Sequence, residues 1–155
     1  MTRPTAASAL DHVVVLMFEN RSFDNLLGRL YEPGEVESFE GVIGKDLSNP
    51  IPAWAEGAGR GVVPYGVASG MDTPNPDPGE ELSHVNTQLF NVLDPANRGI
   101  VTPETTFNEV PAGALPTMDG FVVDYISMLE AELGRAPKFD EYAPIMTGYG
   151  PDQMP

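Results

Sequence analysis

The sequence predicts an α/β fold of which these residues form the N-terminal part, and three observations carry that reading. An apolar, β-branched run over 13–18, Val-Val-Val-Leu-Met-Phe, shows no alternation and stops abruptly at Glu19, the pattern of a central parallel strand buried on both faces. Two later segments place apolar residues at helical spacing. The 16 glycines and 16 prolines among 155 residues exceed ordinary usage of about 7% and 5% and predict long loops. A lone parallel strand leaves its backbone donors and acceptors unpaired, so further strands beyond this chain are expected beside it.

The strand is read over 12–18. Ser22 is placed to cap a helix that begins at Phe23 and Asp24, carries Leu26, Leu27 and Leu30 on one side and ends at Pro33-Gly34; Asp24 suits the positive end of its dipole. Over 32–79 prolines and glycines recur, periodicity disappears, and Trp54 is almost the only large anchor between Phe39 and Tyr65. We read this stretch as a Pro/Gly-rich insertion loop. At that length such a segment is functional or rests on other parts of the protein.

A helix is predicted over 79–92, with Pro78 at its first turn, Glu80 and Glu81 near its positive end, and Leu82, Val85, Leu89, Phe90 and Leu93 on one face. A second runs over 117–133, where Met118, Phe121, Val122, Tyr125, Ile126, Leu129 and Leu133 repeat at i, i+3, i+4, i+7 and Gly134 provides a left-handed stop. A short third helix over 139–146 is limited by Pro144.

Composition excludes several function classes. With no cysteine, a disulfide scaffold, a Cys-ligated zinc site and a thiol nucleophile are ruled out. The formal charge is −15, and the eight basic residues are scattered along the chain, so a phosphate backbone would be repelled and nucleic acid is not an expected partner. The apolar run at 13–18 is far shorter than the roughly 20 residues of a transmembrane helix. No export signal is read at the N-terminus, which predicts a cytoplasmic protein.

In open α/β sheets the ligand site lies beyond the carboxyl ends of the strands. Glu19 and Asn20 follow the predicted strand directly. A carboxylate beside an amide oxygen forms half of an oxygen-rich site for a hard cation; the alternative is a solvated Glu19 and a helix-capping Asn20. Arg21 is suited to pair with a carboxylate and hold the turn.

Three stretches resemble the bacterial phosphoesterases that include phospholipase C-type enzymes and a related acid phosphatase, in the alkaline phosphatase superfamily. The first is the apolar strand running into Glu19-Asn20-Arg21-Ser22-Phe23-Asp24-Asn25-Leu26-Leu27-Gly28. The second is Pro76-Asp77-Pro78-Gly79-Glu80-Glu81-Leu82-Ser83-His84-Val85-Asn86-Thr87-Gln88-Leu89-Phe90. The third is Met118-Asp119-Gly120-Phe121, followed by Ile145-Met146-Thr147-Gly148-Tyr149. The first is specific and the others support it.

The resemblance implies an alkaline phosphatase-like three-layer sandwich, with 1–155 as its incomplete N-terminal part. It implies a divalent metal ion of undetermined identity held by Glu19 and Asn20, with Asn20 also near the phosphate of a phosphate-ester substrate. His84 falls inside the second motif and could donate to a phosphate oxygen, although some relatives carry histidine where this chain has Glu80; a packed helix residue is the alternative. His12 is read as structural. The implied chemistry is attack on phosphorus by a metal-activated hydroxyl through a phospho-enzyme. Its nucleophile and later Asp and His ligands follow the Met-Gly-Tyr region, so no catalytic residue is expected within this chain and none of Ser22, Ser69, Ser83 or Ser127 is assigned as one. The missing C-terminal part of the enzyme is thus an expected partner. A different class of function stays open: a free-standing acidic binding module without catalysis.

Overall fold

The computed structural model describes residues 21–100 and 107–153. The strand predicted over 12–18, together with Glu19 and Asn20, lies outside the described residues.

The described residues form a mixed helix and strand unit with two short sheets, compatible with an α/β fold. In chain order come α1 (Phe23–Leu26), β1 (Ser48–Pro50), β2 (Val62–Pro64), β3 (Gly66–Val67), α2 (Leu82–Phe90), α3 (Phe121–Leu133), α4 (Phe139–Tyr142) and β4 (Thr147–Gly148). β1 pairs antiparallel with β2, placing Asn49 opposite Val63. β3 pairs parallel with β4, Gly66 opposite Thr147 and Val67 opposite Gly148. No helix among the described residues is long and apolar enough to cross a membrane.

The core is organised around α3. Every residue from Val122 to Leu129 is buried, so the helix is enclosed on nearly all sides rather than along the single stripe that its spacing predicts. Val122, Tyr125, Ile126, Met128 and Leu129 pack with Ile51, Val63, Tyr142 and Met146. Each such aliphatic side chain contributes about 1.5–3 kcal/mol relative to exposure. Two of these anchors, Ile51 and Val63, come from the Pro/Gly-rich stretch 32–79. That stretch holds β1, β2 and β3 and lies against α3.

Both predicted long helices begin later than their apolar spacing indicates, at Leu82 and Phe121. The segment before α3 is occupied with closing α2: the Thr117 and Met118 N–H groups donate to the Leu89 carbonyl at 2.8 and 3.0 Å, and the Gly120 N–H donates to the Gln88 carbonyl at 3.1 Å. Met118 takes a positive φ of 60° in that turn. A Cβ at Gly120 would collide with the Thr87 carbonyl, which is why α2 and the start of α3 approach so closely. α2 starts at Leu82 because the Gly79 carbonyl accepts a 2.8 Å bond from the Gln88 side chain, which draws that residue out of the helical ladder.

α1 is a single turn, capped as predicted by Ser22, whose Oγ accepts the Asn25 N–H at 3.1 Å. It stops early: the Asp24 carbonyl also takes the Tyr65 hydroxyl at 2.8 Å, and the Gly28 carbonyl accepts the Val42 N–H at 2.7 Å. Gly134 ends α3 in the left-handed conformation, as predicted. The third predicted helix is α4, continued as a 3-10 turn over Ala143–Met146 with Pro144 in its first turn.

α3 has no capping side chain of its own, since Gly120 precedes it. Buried Asn49 of β1 supplies one: its Oδ1 accepts the Phe121 N–H at 2.8 Å and the Val122 N–H at 3.4 Å, while its Nδ2 donates to the Met118 carbonyl at 3.1 Å. A second buried amide, Asn108, binds the loop to α2. Its Oδ1 accepts from the Asp94 N–H at 2.9 Å and from Asn97 Nδ2 at 2.8 Å, and its Nδ2 donates to Thr87 Oγ1 at 2.7 Å.

Asn49→Ala removes both the cap and its buried partners, and the unfolding free energy from urea titration is expected to fall by about 2 kcal/mol. Asn49→Asp, which retains an acceptor at the positive end of α3, is expected to recover part of that loss.

Candidate functional site

The three stretches singled out in the sequence meet in space. Arg21 is the first described residue of the first stretch, immediately before the Ser22 cap of α1. Its Nη1 lies 2.9 Å from Asp77 Oδ1, in the Asp-Pro-Gly segment, and its Nε donates to the Tyr149 hydroxyl at 3.2 Å, in the Met-Thr-Gly-Tyr turn. The carboxylate expected to hold this turn is therefore Asp77. Its hydrogen bond, then that of Tyr149, holds the Arg21 guanidinium protonated.

The turn after β4 is fixed to α1 from both directions. The Tyr149 N–H donates to the Asn25 carbonyl at 2.7 Å, and Asn25 Nδ2 donates to the Thr147 carbonyl at 2.8 Å. Gly148 is required here, because a Cβ would strike the Tyr65 hydroxyl. The Tyr149 hydroxyl donates to the Met71 carbonyl at 2.7 Å, joining the loop before Asp77 to the same point.

The Asp-Pro-Gly segment is held from α3. The Tyr125 hydroxyl donates to the Pro76 carbonyl at 2.8 Å. Burial pushes that hydroxyl up to about 12, with Asp77 adding to the shift and Arg21 opposing it.

His84 is buried, 4% exposed, against an equally buried Asp124. Its Nδ1 lies 2.8 Å from Asp124 Oδ1, and its Nε2 lies 3.6 Å from the Glu81 carboxylate. The other Asp124 oxygen accepts from Gln88 Nε2 at 2.8 Å. Burial pushes the Asp124 carboxyl up, and its bonds to His84 and Gln88 pull it back. The imidazole also lies where any side chain at position 79 would stand, so only glycine fits the turn. The residue lies between α2, the Asp-Pro-Gly turn and α3, buried and bonded to Asp124.

Three of the four serines considered above have hydrogen-bond partners and the fourth is buried. Ser22 caps α1, Ser127 Oγ accepts the Gly99 N–H at 3.0 Å, Ser69 is bonded to Thr73, and the Ser83 side chain is buried within α2. Among the described residues no group of three His, Asp or Glu side chains is placed to hold a metal ion; Glu19 and Asn20 are not among them.

Sequence reasoning missed Asp124 and Asn49. A signal existed for the first, since Asp124 falls between Val123 and Tyr125 inside an otherwise apolar helix, and a carboxylate there must be paired. Asn49 carries no local signal, its partner being 72 positions away.

One of the comparisons with known proteins finds a distant likeness. The chain is 28% identical over 148 residues to a protein described as non-specific phospholipase C6 from Arabidopsis thaliana, a match spanning 96% of this chain and 22% of that protein. The chain thus covers about a fifth of the length of this relative, a likeness of phosphoesterase type. No family model matches the chain, and no solved structure does.

Two measurements check the site. His84→Ala strands a buried carboxylate and is expected to lower the unfolding free energy by about 3 kcal/mol. In a double-mutant cycle with Asp124→Ala, the combined loss is expected to fall well short of the sum. For Tyr125 the folded pKa lies above the unfolded value of about 10. Its contribution to stability is therefore full below that value and is lost as pH rises through about 12. Unfolding free energy is expected to drop across this window, and Tyr125→Phe to flatten part of the drop, the remainder coming from Tyr65 and Tyr142, which burial also pushes up.

Proposed function

We propose that this chain is the N-terminal part of a metal-dependent phosphoesterase, phospholipase C-like or acid phosphatase-like, with an alkaline phosphatase-like three-layer fold completed by polypeptide outside these residues. The observation that carries the reading is the convergence of Arg21, Asp77 and Tyr149, one from each resembling stretch, with 2.9 Å and 3.2 Å between the partners. The likeness to a protein named as a phospholipase C, running along nearly the whole chain, supports it.

Glu19 and Asn20, which directly precede Arg21, are the proposed metal ligands. A carboxylate and an amide oxygen are hard donors that fit Mg, Ca or Mn. A bound divalent ion would supply Lewis-acid stabilisation of charge on a phosphoryl oxygen. Asn20 is also assigned to the substrate phosphate, and His84 to bracing the neighbouring turn. The nucleophile and remaining ligands are assigned to the rest of the enzyme, so the isolated chain is expected to be inactive.

The test is co-expression with the polypeptide encoded by the following reading frame, assayed on p-nitrophenyl phosphate and p-nitrophenylphosphocholine with and without chelator. Turnover is expected only from the combination, and only without chelator. Glu19→Gln is expected to lower it by at least about 100-fold, the upper end of what even an outer-shell partner of a metal ligand costs. Unchanged turnover removes Glu19 from the site.

A further inference from the structure

We propose that Tyr31 and Phe39 form a recognition corner for a quaternary ammonium group, a site that stands independently of the phosphoesterase reading above. The two rings are perpendicular, at 89° with centroids 5.1 Å apart. A cavity of about 210 Å³ opens beside them, with Glu32 and Lys45 also on its wall. The face of an aromatic ring is the negative side of its quadrupole, and clustered faces hold methylated ammonium ligands. Sites for drug-sized ligands run to roughly 300–1,000 Å³, so this smaller cavity suits a compact head group.

Two other exposed or half-buried rings of the chain are covered by its own cations. Arg60 lies over Phe139 at 4.2 Å and Arg98 over Trp54 at 3.8 Å, Arg98 being fixed there by two 2.7 Å bonds to Glu130. Among the described residues no such cation covers Tyr31 or Phe39. Lys45, on the cavity wall, is drawn to Glu40 at 3.3 Å. The stretch 31–41 holds four glutamates and no basic residue, so the local field favours a cation.

The rings are held in place by the chain itself. Phe39 packs on Phe23 of α1, with centroids 5.9 Å apart. Just beyond Phe39, buried Val42 donates its N–H to the Gly28 carbonyl at 2.7 Å. Gly41 is required between them, because a Cβ would strike both the Phe39 ring and that carbonyl. After Tyr31 a turn is closed twice at 3.0 Å, the Glu35 N–H donating to the Glu32 carbonyl and the Glu32 N–H to Glu35 Oε2. Rings fixed in this way lose little freedom on binding. A metal ion is a poorer occupant, since among the described residues no group of three His, Asp or Glu side chains is placed to hold one. A quaternary ammonium has no N–H to satisfy and needs only ring faces and a negative field.

The test is a titration of the 155-residue chain with tetramethylammonium chloride, followed by NMR of the aromatic ring protons, against sodium chloride at equal ionic strength. Saturable shifts at Tyr31 and Phe39 are expected from tetramethylammonium alone. Tyr31→Leu and Phe39→Leu are each expected to weaken binding by about 2- to 5-fold. Tyr31 is exposed, so its variant decides the matter even where Phe39→Leu disturbs the fold. Trp54→Leu removes a ring that Arg98 already covers and is expected to leave the affinity unaltered. Choline and phosphatidylcholine vesicles then separate a soluble ligand from a lipid head group, and binding of either supports the shared chemistry. Absent shifts, equal shifts with sodium, or undiminished binding in Tyr31→Leu overturn the proposal. Vesicle binding without a response to tetramethylammonium also overturns it. None of these failures touches the phosphoesterase reading, which Glu19→Gln tests separately.

Discussion

A helix enclosed on nearly every side cannot satisfy its own polar groups, and α3 sets the terms on which the rest of the chain packs. Its first-turn N–H groups have no partner within the helix and are met by Asn49, brought in from β1. Its one buried carboxylate, Asp124, is met by His84 and Gln88 of α2. Ser127 meets the backbone at Gly99. Three polar demands of one helix therefore recruit three separate segments, and the one that brings Asn49 also carries Ile51 into the core.

The same logic accounts for the region where the resembling stretches converge. Tyr125 faces the Asp-Pro-Gly turn from α3 and bonds the carbonyl just before Asp77. One residue earlier in the helix, Asp124 secures the imidazole on which Gly79 rests. The turn is thereby pinned on both sides of Asp77, and Asp77 passes that order to Arg21. Motifs far apart along the chain, at 21, 77 and 149, are parts of one bonded structure.

How much of this was legible in the sequence follows the reach of each interaction. The Ser22 cap and the left-handed Gly134 are local, readable from a few neighbours, and both stand in the structure. The apolar spacing of α2 and α3 located the helices but not their first residues, because Thr117, Met118 and Gly120 spend their N–H groups on the end of α2. Within 32–79, Ile51 and Val63 join the core though strands of three residues leave no periodicity to read. The partner of Arg21 was expected to be acidic, yet nothing local distinguished Asp77 from the other acidic residues. Pairing across 56 positions is a property of the folded chain.

The contact between Gly79 and His84 carries an evolutionary consequence. The imidazole fills the volume a side chain at 79 would need, so the two positions are joined in a single steric allowance. Lineages that place any larger residue at 79 must shrink or relocate the ring at 84, and Asp124, deprived of its imidazole, must become neutral in step. Positions 79, 84 and 124 therefore form one unit, which a substitution at any of them disturbs.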